Sequence, residues 1–413
     1  MNFSKYFLMA AAAMSLFACS NEDEVVNNKG ENMALITLSL GKAGTRSLEG
    51  TAGNECNVVE KLSFHFFTAD GRNLNVEQPA VDEINKAITS LSSTHTATIA
   101  IEKVPLTARQ LVVIANENDA INLGTLESAE KSVVTLTNMY DATATPFGQA
   151  KSVLTGKAGV PAGTAGGTVD VTVNIKPVSS RVEIDKFTAK KIADAEVNIQ
   201  DFDVLGIYMN QFYNVGTINP DYNESAAGRT KFANGSTTTN YSYEKYNTAK
   251  WGFMCDDYTT GYGDPATVLS QANTTDGAVW EVVPANDSHC WGYPVLAGDG
   301  KPIEGFSNDV AHIVIKLNVS FDKDLTKTDE NGQEVTIPAG VKREKYLTVV
   351  NYFTDANQTQ KLPKFVRGEV YRINNLVFDI DDLTEVPYEG TKTASVTVNV
   401  LAWKPVPVTP EIQ

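Results

Sequence analysis

Val169-Asp-Val-Thr-Val-Asn-Ile175 sets four β-branched residues at every second position, with Asp170, Thr172 and Asn174 between them. Side chains of a strand alternate between faces with a period of two, so this stretch reads as a half-buried strand with one apolar and one wet face. Lys176-Pro177-Val178-Ser179-Ser180 follows at once. The proline interrupts the pattern, and Arg181-Val-Glu-Ile-Asp185 starts a new one, which marks a domain boundary.

The same alternation recurs on both sides. Leu62, Phe64 and Phe66 share a face before a turn at Asp70-Gly71, and Leu111, Val113 and Ala115 do so before Asn116. Further on, Ile313, Ile315, Leu317 and Val319 share a face, with Lys316 and Asn318 opposite. Val204–Met209, Tyr346–Phe353 and Tyr371–Phe378 are runs rich in β-branched and aromatic residues, the composition of strands. Asn331-Gly332 predicts a hairpin turn, because this dipeptide tolerates the positive φ such turns need. Helical patterning is weak, and only Val81–Leu91 and Glu127–Leu136 predict two or three turns each. Residues from about 215 to 300 are rich in Gly, Asn, Asp, Thr and Tyr and read as long surface loops. The layout predicts an all-β chain with few short helices and two β-sandwich domains, residues 47–178 and 179–390.

With 42% hydrophobic and 20% charged residues in 413, the body has the composition of a globular protein. Fifty acidic against 34 basic residues give a net charge of −16, and no basic cluster interrupts it. That excludes nucleic acid as a partner, since binding there needs clustered Lys and Arg to replace phosphate counterions.

The N-terminus predicts export. Lys5 precedes a largely apolar run, Tyr6 to Ala18, too short for a helix spanning ~30 Å of hydrocarbon and suited to a signal peptide over residues 1–18. Leu16-Phe17-Ala18-Cys19 closes it and resembles a bacterial lipobox, in which the cysteine receives lipid and becomes the new N-terminus. Ser20-Asn-Glu-Asp-Glu24 then reads as a solvated tether, and it also resembles the surface-export signal of Bacteroidetes lipoproteins. Lipid chains contribute ~0.8 kcal/mol per buried methylene, so two or more would hold the precursor on a membrane.

No motif for catalysis or cofactor binding is present. The histidines at 65, 95, 289 and 312 lack the HExxH spacing, and there is neither a GxSxG elbow nor a phosphate-cradling GxxxxGK[ST] loop. Past Cys19, Cys255 and Cys290 can pair in an oxidising compartment and leave Cys56 alone, and no CxxC occurs. Asp256-Asp257 and the group Asp379, Asp381, Asp382 and Glu385 are solvated acidic turns or oxygen ligands for calcium, though neither fits an EF-hand loop. Trp251, Tyr258, Tyr262, Trp280, Trp291 and Tyr293 form an aromatic group that packs loops, stacks on a glycan or anchors a host protein.

Two strand-like ends stand out. Ala34-Leu-Ile-Thr-Leu-Ser-Leu40 puts Ile36, Leu38 and Leu40 on one face. Gly41-Lys-Ala-Gly-Thr-Arg46-Ser47 follows, a small-residue loop of the kind proteases cut, ending in an arginine. At the other end Val396, Val398 and Val400 alternate with Thr397 and Asn399, and Val406, Val408 and Ile412 keep their parity beyond Trp403. Pro405 and Pro407 lack N–H groups, so one edge of this tail accepts hydrogen bonds and donates few.

Taken in order, the lipobox, the arginine after a first strand, Leu62-Ser-Phe-His-Phe-Phe-Thr-Ala-Asp-Gly71, Leu111-Val-Val-Ile-Ala-Asn116, Ser180-Arg-Val-Glu-Ile184, Phe365-Val-Arg-Gly-Glu-Val-Tyr-Arg-Ile373 and Val396-Thr-Val-Asn-Val-Leu-Ala-Trp403 resemble the fimbrillins of Bacteroidetes, the major subunits of type V pili. The resemblance covers nearly the whole chain apart from residues 215–300. It implies a non-enzymatic protein of two transthyretin-like β-sandwiches, carried to the outer membrane as a lipoprotein on Cys19. It further implies an arginine-specific protease that cuts between Arg46 and Ser47 and removes a propeptide, residues 19–46, with its first strand Ile36, Leu38 and Leu40. The C-terminal segment of another subunit, residues 391–413 with Val396, Val398, Val400, Val406, Val408 and Ile412, then fills the groove as a donor strand. The product is a head-to-tail surface fimbrium that supports adhesion. Two other readings fit the same residues: a lipoprotein that stays anchored and binds a glycan or host protein, and a tip or anchor subunit of the same pilus.

Overall fold

A computed structural model of the chain describes residues 30–40, 59–117, 120–135, 152–184, 186–210, 212–213, 215–219, 229–230, 255–256, 269–274, 277–282, 291–298, 310–328, 332–385 and 394–402. The first half contains β1 (Glu31–Leu40), β2 (Leu62–Thr68), helix α1 (Val81–Thr94), β3 (Thr96–Pro105), β4 (Ala108–Ala115), helix α2 (Leu126–Glu130), β5 (Val133–Thr135), β6 (Leu154–Gly159) and β7 (Thr168–Pro177). Next come β8 (Ser179–Ile184), β9 (Phe187–Ala189), β10 (Ile199–Asn210), β11 (Phe212–Tyr213), β12 (Val215–Thr217), β13 (Arg229–Thr230), β14 (Cys255–Asp256), β15 (Leu269–Thr274), β16 (Gly277–Val282) and β17 (Trp291–Leu296). The chain continues through β18 (His312–Phe321), β19 (Leu325–Thr328), β20 (Glu334–Ile337), β21 (Arg343–Phe353), β22 (Glu369–Ile373), β23 (Leu376–Phe378), β24 (Ala394–Thr397) and β25 (Asn399–Ala402).

The fold is all-β, and its strands gather around two apolar cores. The first core lies within the order β2-β4-β6-β7-β1-β3. Here β7 turns a corner, pairing with β1 along Thr168–Ile175 and with β6 only through Lys176 and Pro177. Val169, Val171, Val173 and Ile175 face inward toward Phe64, Phe66, Leu111 and Val113, with Ala87 and Leu91 of α1, one turn apart, in the same core. The second core lies among the five-stranded sheet β14-β10-β18-β21-β24 and two four-stranded sheets, β17-β8-β22-β25 and β15-β16-β9-β23.

The two cores meet closely. Val112 and Ile114 of β4, between residues that face the first core, belong to the second, as does Val178 just past β7. The short pair β5–β12 joins residues 133–135 to 215–217. Arg367 spans the junction: its Nη2 donates to Thr155 O at 2.9 Å, Thr155 Oγ1 at 2.7 Å and Lys176 O at 2.7 Å, and its Nε donates to Pro177 O at 3.2 Å.

Several expectations need correction. The helix expected over Glu127–Leu136 stops at Glu130, and Val133–Thr135 form a strand instead, because β-branched residues find a partner in β12. The stretch from 215 to 300, expected as loops, supplies β15, β16 and β17, with Trp280 opposite Ala189 and Trp291 opposite Ile184. Lys316, on the face opposite Ile313, Ile315, Leu317 and Val319, is buried as well and pairs with Glu344 at 2.6 Å. β19 and β20 pair antiparallel on either side of Asn331-Gly332, and Gly332 takes φ +78°, while Asn331 lies outside the described residues.

Candidate functional site

β1 is an interior strand of its sheet, next to the edge strand β3. It runs antiparallel to β3 and parallel to β7, so that Thr37 faces Thr98 on one side and Thr172 on the other. Ala34, Ile36 and Leu38 are 0% exposed and Leu40 4%, whereas Leu35, Thr37 and Ser39 on the outward face are half-buried. The Ser39 hydroxyl bonds the Asn174 side chain on that outer face.

The backbone is engaged on both sides. Met33 N–H donates to Gly167 O at 2.9 Å, on the β7 side, and Leu40 N–H donates to His95 O at 3.0 Å, on the β3 side. Since a strand's amides point alternately to its two neighbours, odd-numbered residues of β1 bond β7 and even-numbered ones bond β3. Taking β1 away would expose a trench lined by the first core and two rows of unpaired backbone groups.

One residue of this strand is poorly satisfied. Asn32 is buried, and its Oδ1 has no hydrogen-bond partner. Its amide lies against Gly163, where any Cβ would collide with it. Neither residue was singled out by sequence, because an orphaned amide shows only once its surroundings are in place.

At the far end, the described part of residues 391–413 forms two strands. β24 pairs parallel with β21, placing Val396 opposite Tyr352, and β25 pairs antiparallel with β22, placing Val400 opposite Tyr371. Val398 lies between them, 1% exposed, with its N–H donating to Phe353 O at 2.7 Å. The chain thus crosses from one sheet to another at Val398, because that side chain is taken up by the second core. Cys19, Arg46, Ser47, Val406, Val408 and Ile412 lie outside the described residues, as do Cys56, Cys290, Trp251, Tyr258 and Tyr262.

The polar candidates serve the scaffold. Asp379 accepts from Asp381 N at 3.0 Å and Asp382 from Asp379 N at 3.0 Å, capping a single 3-10 turn. Glu385 pairs with Lys327 and Lys345, whose hydrogen bonds hold its carboxyl below the usual range against the opposing effect of burial. His65 meets Ser63 Oγ at 2.9 Å, and burial lowers its pKa to about 4. His312 is buried in β18, and His95 ends α1 with φ 60°. Among the described residues no group of three or more His, Cys, Asp or Glu is placed to hold a metal ion.

No family model matches the chain, and no curated protein matches it. Solved structures similar to it include a candidate cell adhesion protein of Parabacteroides distasonis, at 13% identity and TM-score 0.48, covering 91% of this chain and 99% of that one. A fimbrilin of Porphyromonas gingivalis aligns at 13% identity and TM-score 0.47, over 90% of this chain and 98% of that one. A candidate cell adhesion protein of Bacteroides eggerthii aligns at 14% identity and TM-score 0.45, over 91% and 97%.

Proposed function

We propose that the chain is a structural fimbrial subunit that polymerises head to tail, exchanging its own β1 for the C-terminal segment of another copy. In this reading lipid on Cys19 carries the precursor to the outer membrane, and an arginine-specific protease cuts between Arg46 and Ser47. The observation that carries it is the placement of β1: a buried strand paired on both sides, and joined to the rest of its sandwich only through residues 41–58, which contain Arg46.

The energetics say what the cut does and does not do. Ile36, Leu38 and Leu40 are buried, and full burial of such side chains contributes ~1.5–3 kcal/mol each. Their sum, roughly 5–9 kcal/mol, rivals the ~5–15 kcal/mol stability of a whole domain. Cleavage alone therefore leaves β1 in place. It turns an intramolecular strand into a separable one that a second strand can displace, and that strand restores both the burial and the ladder.

The segment beyond Ala402 is long enough. At ~3.3 Å per residue, residues 403–413 reach about 36 Å, against about 26 Å for Met33–Leu40. Val406, Val408 and Ile412 share one parity, as Ile36, Leu38 and Leu40 do. We assign these three to the slot, with Val396, Val398 and Val400 holding the segment's root in its own sandwich. Because slot and donor belong to different sandwiches, the contact is heterologous and propagates as a filament.

N-terminal sequencing of polymer and monomer tests the reading, with Ser47 expected as the first residue of every polymerised subunit. Val406→Asp combined with Val408→Asp is expected to leave a folded monomer that cannot act as donor. Polymers that begin at Cys19, or that form from chains lacking residues 403–413, would defeat it.

A further inference from the structure

The sheet that holds β1 has two outer edges, and they are treated differently. The β2 edge is sealed by Gln78, whose Oε1 accepts from Phe64 N at 2.8 Å and whose Nε2 donates to Phe64 O at 2.6 Å. Leu74 N–H adds a bond to Phe66 O at 2.9 Å. A side-chain amide there imitates the next strand and closes the edge to other chains.

Among the described residues the β3 edge is closed only at its start, where Thr94 Oγ1 donates to Thr96 O at 2.9 Å. Leu40 bonds His95, so the alternate residues Ala97, Ile99 and Ile101 turn their amides to β1, and Thr98 and Ala100 turn theirs outward. Among the described residues these outward groups of Thr98 and Ala100 have no partner, and both side chains are exposed. From Thr96 to Ile101 the edge carries no charge and no proline, the usual devices against pairing. They begin only at Glu102 and Lys103, where Lys103 takes φ 54° and the β1–β3 register shifts.

We infer that this edge is a self-association surface, on which the β3 strands of two copies pair antiparallel about a twofold axis at Ile99. This register spans Thr96 to Glu102 and centres on the open groups of Thr98 and Ala100. It sets Thr98 against Ala100 of the other copy and Glu102 against Thr96, so no like charges meet. Ile99 faces Ile99 and Ala97 faces Ile101, continuing the apolar inner face from copy to copy. A twofold contact of this kind closes on itself, and it is independent of strand exchange because β3 presents the same outer edge whichever strand fills the slot. In a filament it joins stalks side by side.

The test uses the uncleaved chain, made soluble by Cys19→Ser, so that head-to-tail assembly does not enter. Sedimentation is expected to show a concentration-dependent dimer that Ala100→Lys abolishes, while circular dichroism shows the variant folded, its exposed position tolerating the change. Under mild oxidation Thr98→Cys combined with Ala100→Cys is expected to form a cross-linked dimer, since facing positions bring the Cα atoms within disulfide range. Neither single variant is expected to cross-link beyond the parent chain with its native cysteines. A monomer at every concentration, a dimer that persists in Ala100→Lys, or cross-linking by either single variant would overturn the proposal.

Discussion

Replacing Leu38 by alanine separates a strand that belongs to the fold from one that is only passing through it. Leu38 is 0% exposed, in an interior strand of its sheet, between β3 and β7. Truncating a fully buried leucine costs ~2–5 kcal/mol through lost burial and the cavity left behind. At ~2–4 °C per kcal/mol for a unit of this size, a cost of about 3 kcal/mol lowers the melting temperature of the uncleaved chain by about 6–12 °C. Thr37→Ala, one residue away on the half-buried outer face, is the control and should stay within ~0.5–1 kcal/mol. In polymer whose subunits have lost residues 19–46, the Leu38 change is no longer present and the melting temperature should match wild type. Chemical denaturation of precursor and polymer in parallel makes the comparison. A loss below ~1 kcal/mol in the precursor would show that β1 does not stabilise the first sandwich, and the energetic basis of exchange would fail with it.

Three further changes probe other parts of the molecule. Arg367→Ala removes charged hydrogen bonds to Thr155, Lys176 and Pro177; a loss of about 2–4 kcal/mol is expected in urea denaturation, with new protease cutting at the Lys176–Ser180 junction. Asn32→Leu replaces an orphaned amide oxygen by an apolar group; it should stabilise the uncleaved chain by about 1 kcal/mol and slow the exchange of β1, read as the lag before polymer appears. For His65, the folded pKa of about 4 lies below the ordinary 6.5 because burial disfavours the charged ring. The unfolded chain therefore takes up the proton first as pH falls, so stability drops between pH 6.5 and 4, by at most about 3 kcal/mol, and levels off below. His65→Gln should flatten that window in denaturation curves taken across it.

What the sequence disclosed follows from how many faces of each strand are covered. Val169–Ile175 has one buried and one exposed face, so its alternation is plain. Leu111–Ala115 is buried on both faces, because the second core covers the outer side of β4, and a period of two accounts for only half of it. Lys316 of β18 likewise sits on a covered face, where its charge is met by Glu344. The helix start at Thr125 is local, set by its own side chain and Ser128, but the strand at Val133–Thr135 depends on residues 215–217. Strands β15 to β17 were hidden by a Gly-, Asn- and Thr-rich composition that pairing overrides. At the slot, the amphipathic face of β1 was legible, while its neighbours were not, because nothing within residues 34–40 names β3 and β7 as the flanking strands.

That pair of neighbours decides what kind of strand the slot can take. β3 runs antiparallel to β1 and β7 parallel to it, so β3 and β7 run opposite to each other. A replacement entering in either direction therefore meets one parallel and one antiparallel partner, and the ladder alone gives only a weak preference of polarity. Specificity must then come from which side chains point inward and which amides can donate. With Val406 and Val408 inward, Pro405 and Pro407 point outward, and both withhold their N–H from the same neighbour. If the donor runs in the direction of β1, that neighbour is β7, since outward residues of β1 bond β7 and inward ones bond β3. The ladder to β3 then lacks only the donor of Pro410, which shares the inward parity, while the missing donors of Pro405 and Pro407 fall on the β7 carbonyls that Leu35, Thr37 and Ser39 serve in the precursor. The same prolines disfavour pairing of the tail with another tail. In the proposed exchange a donor of this composition gives up part of both ladders for protection before assembly, and inward apolar side chains must supply most of what holds it in the slot.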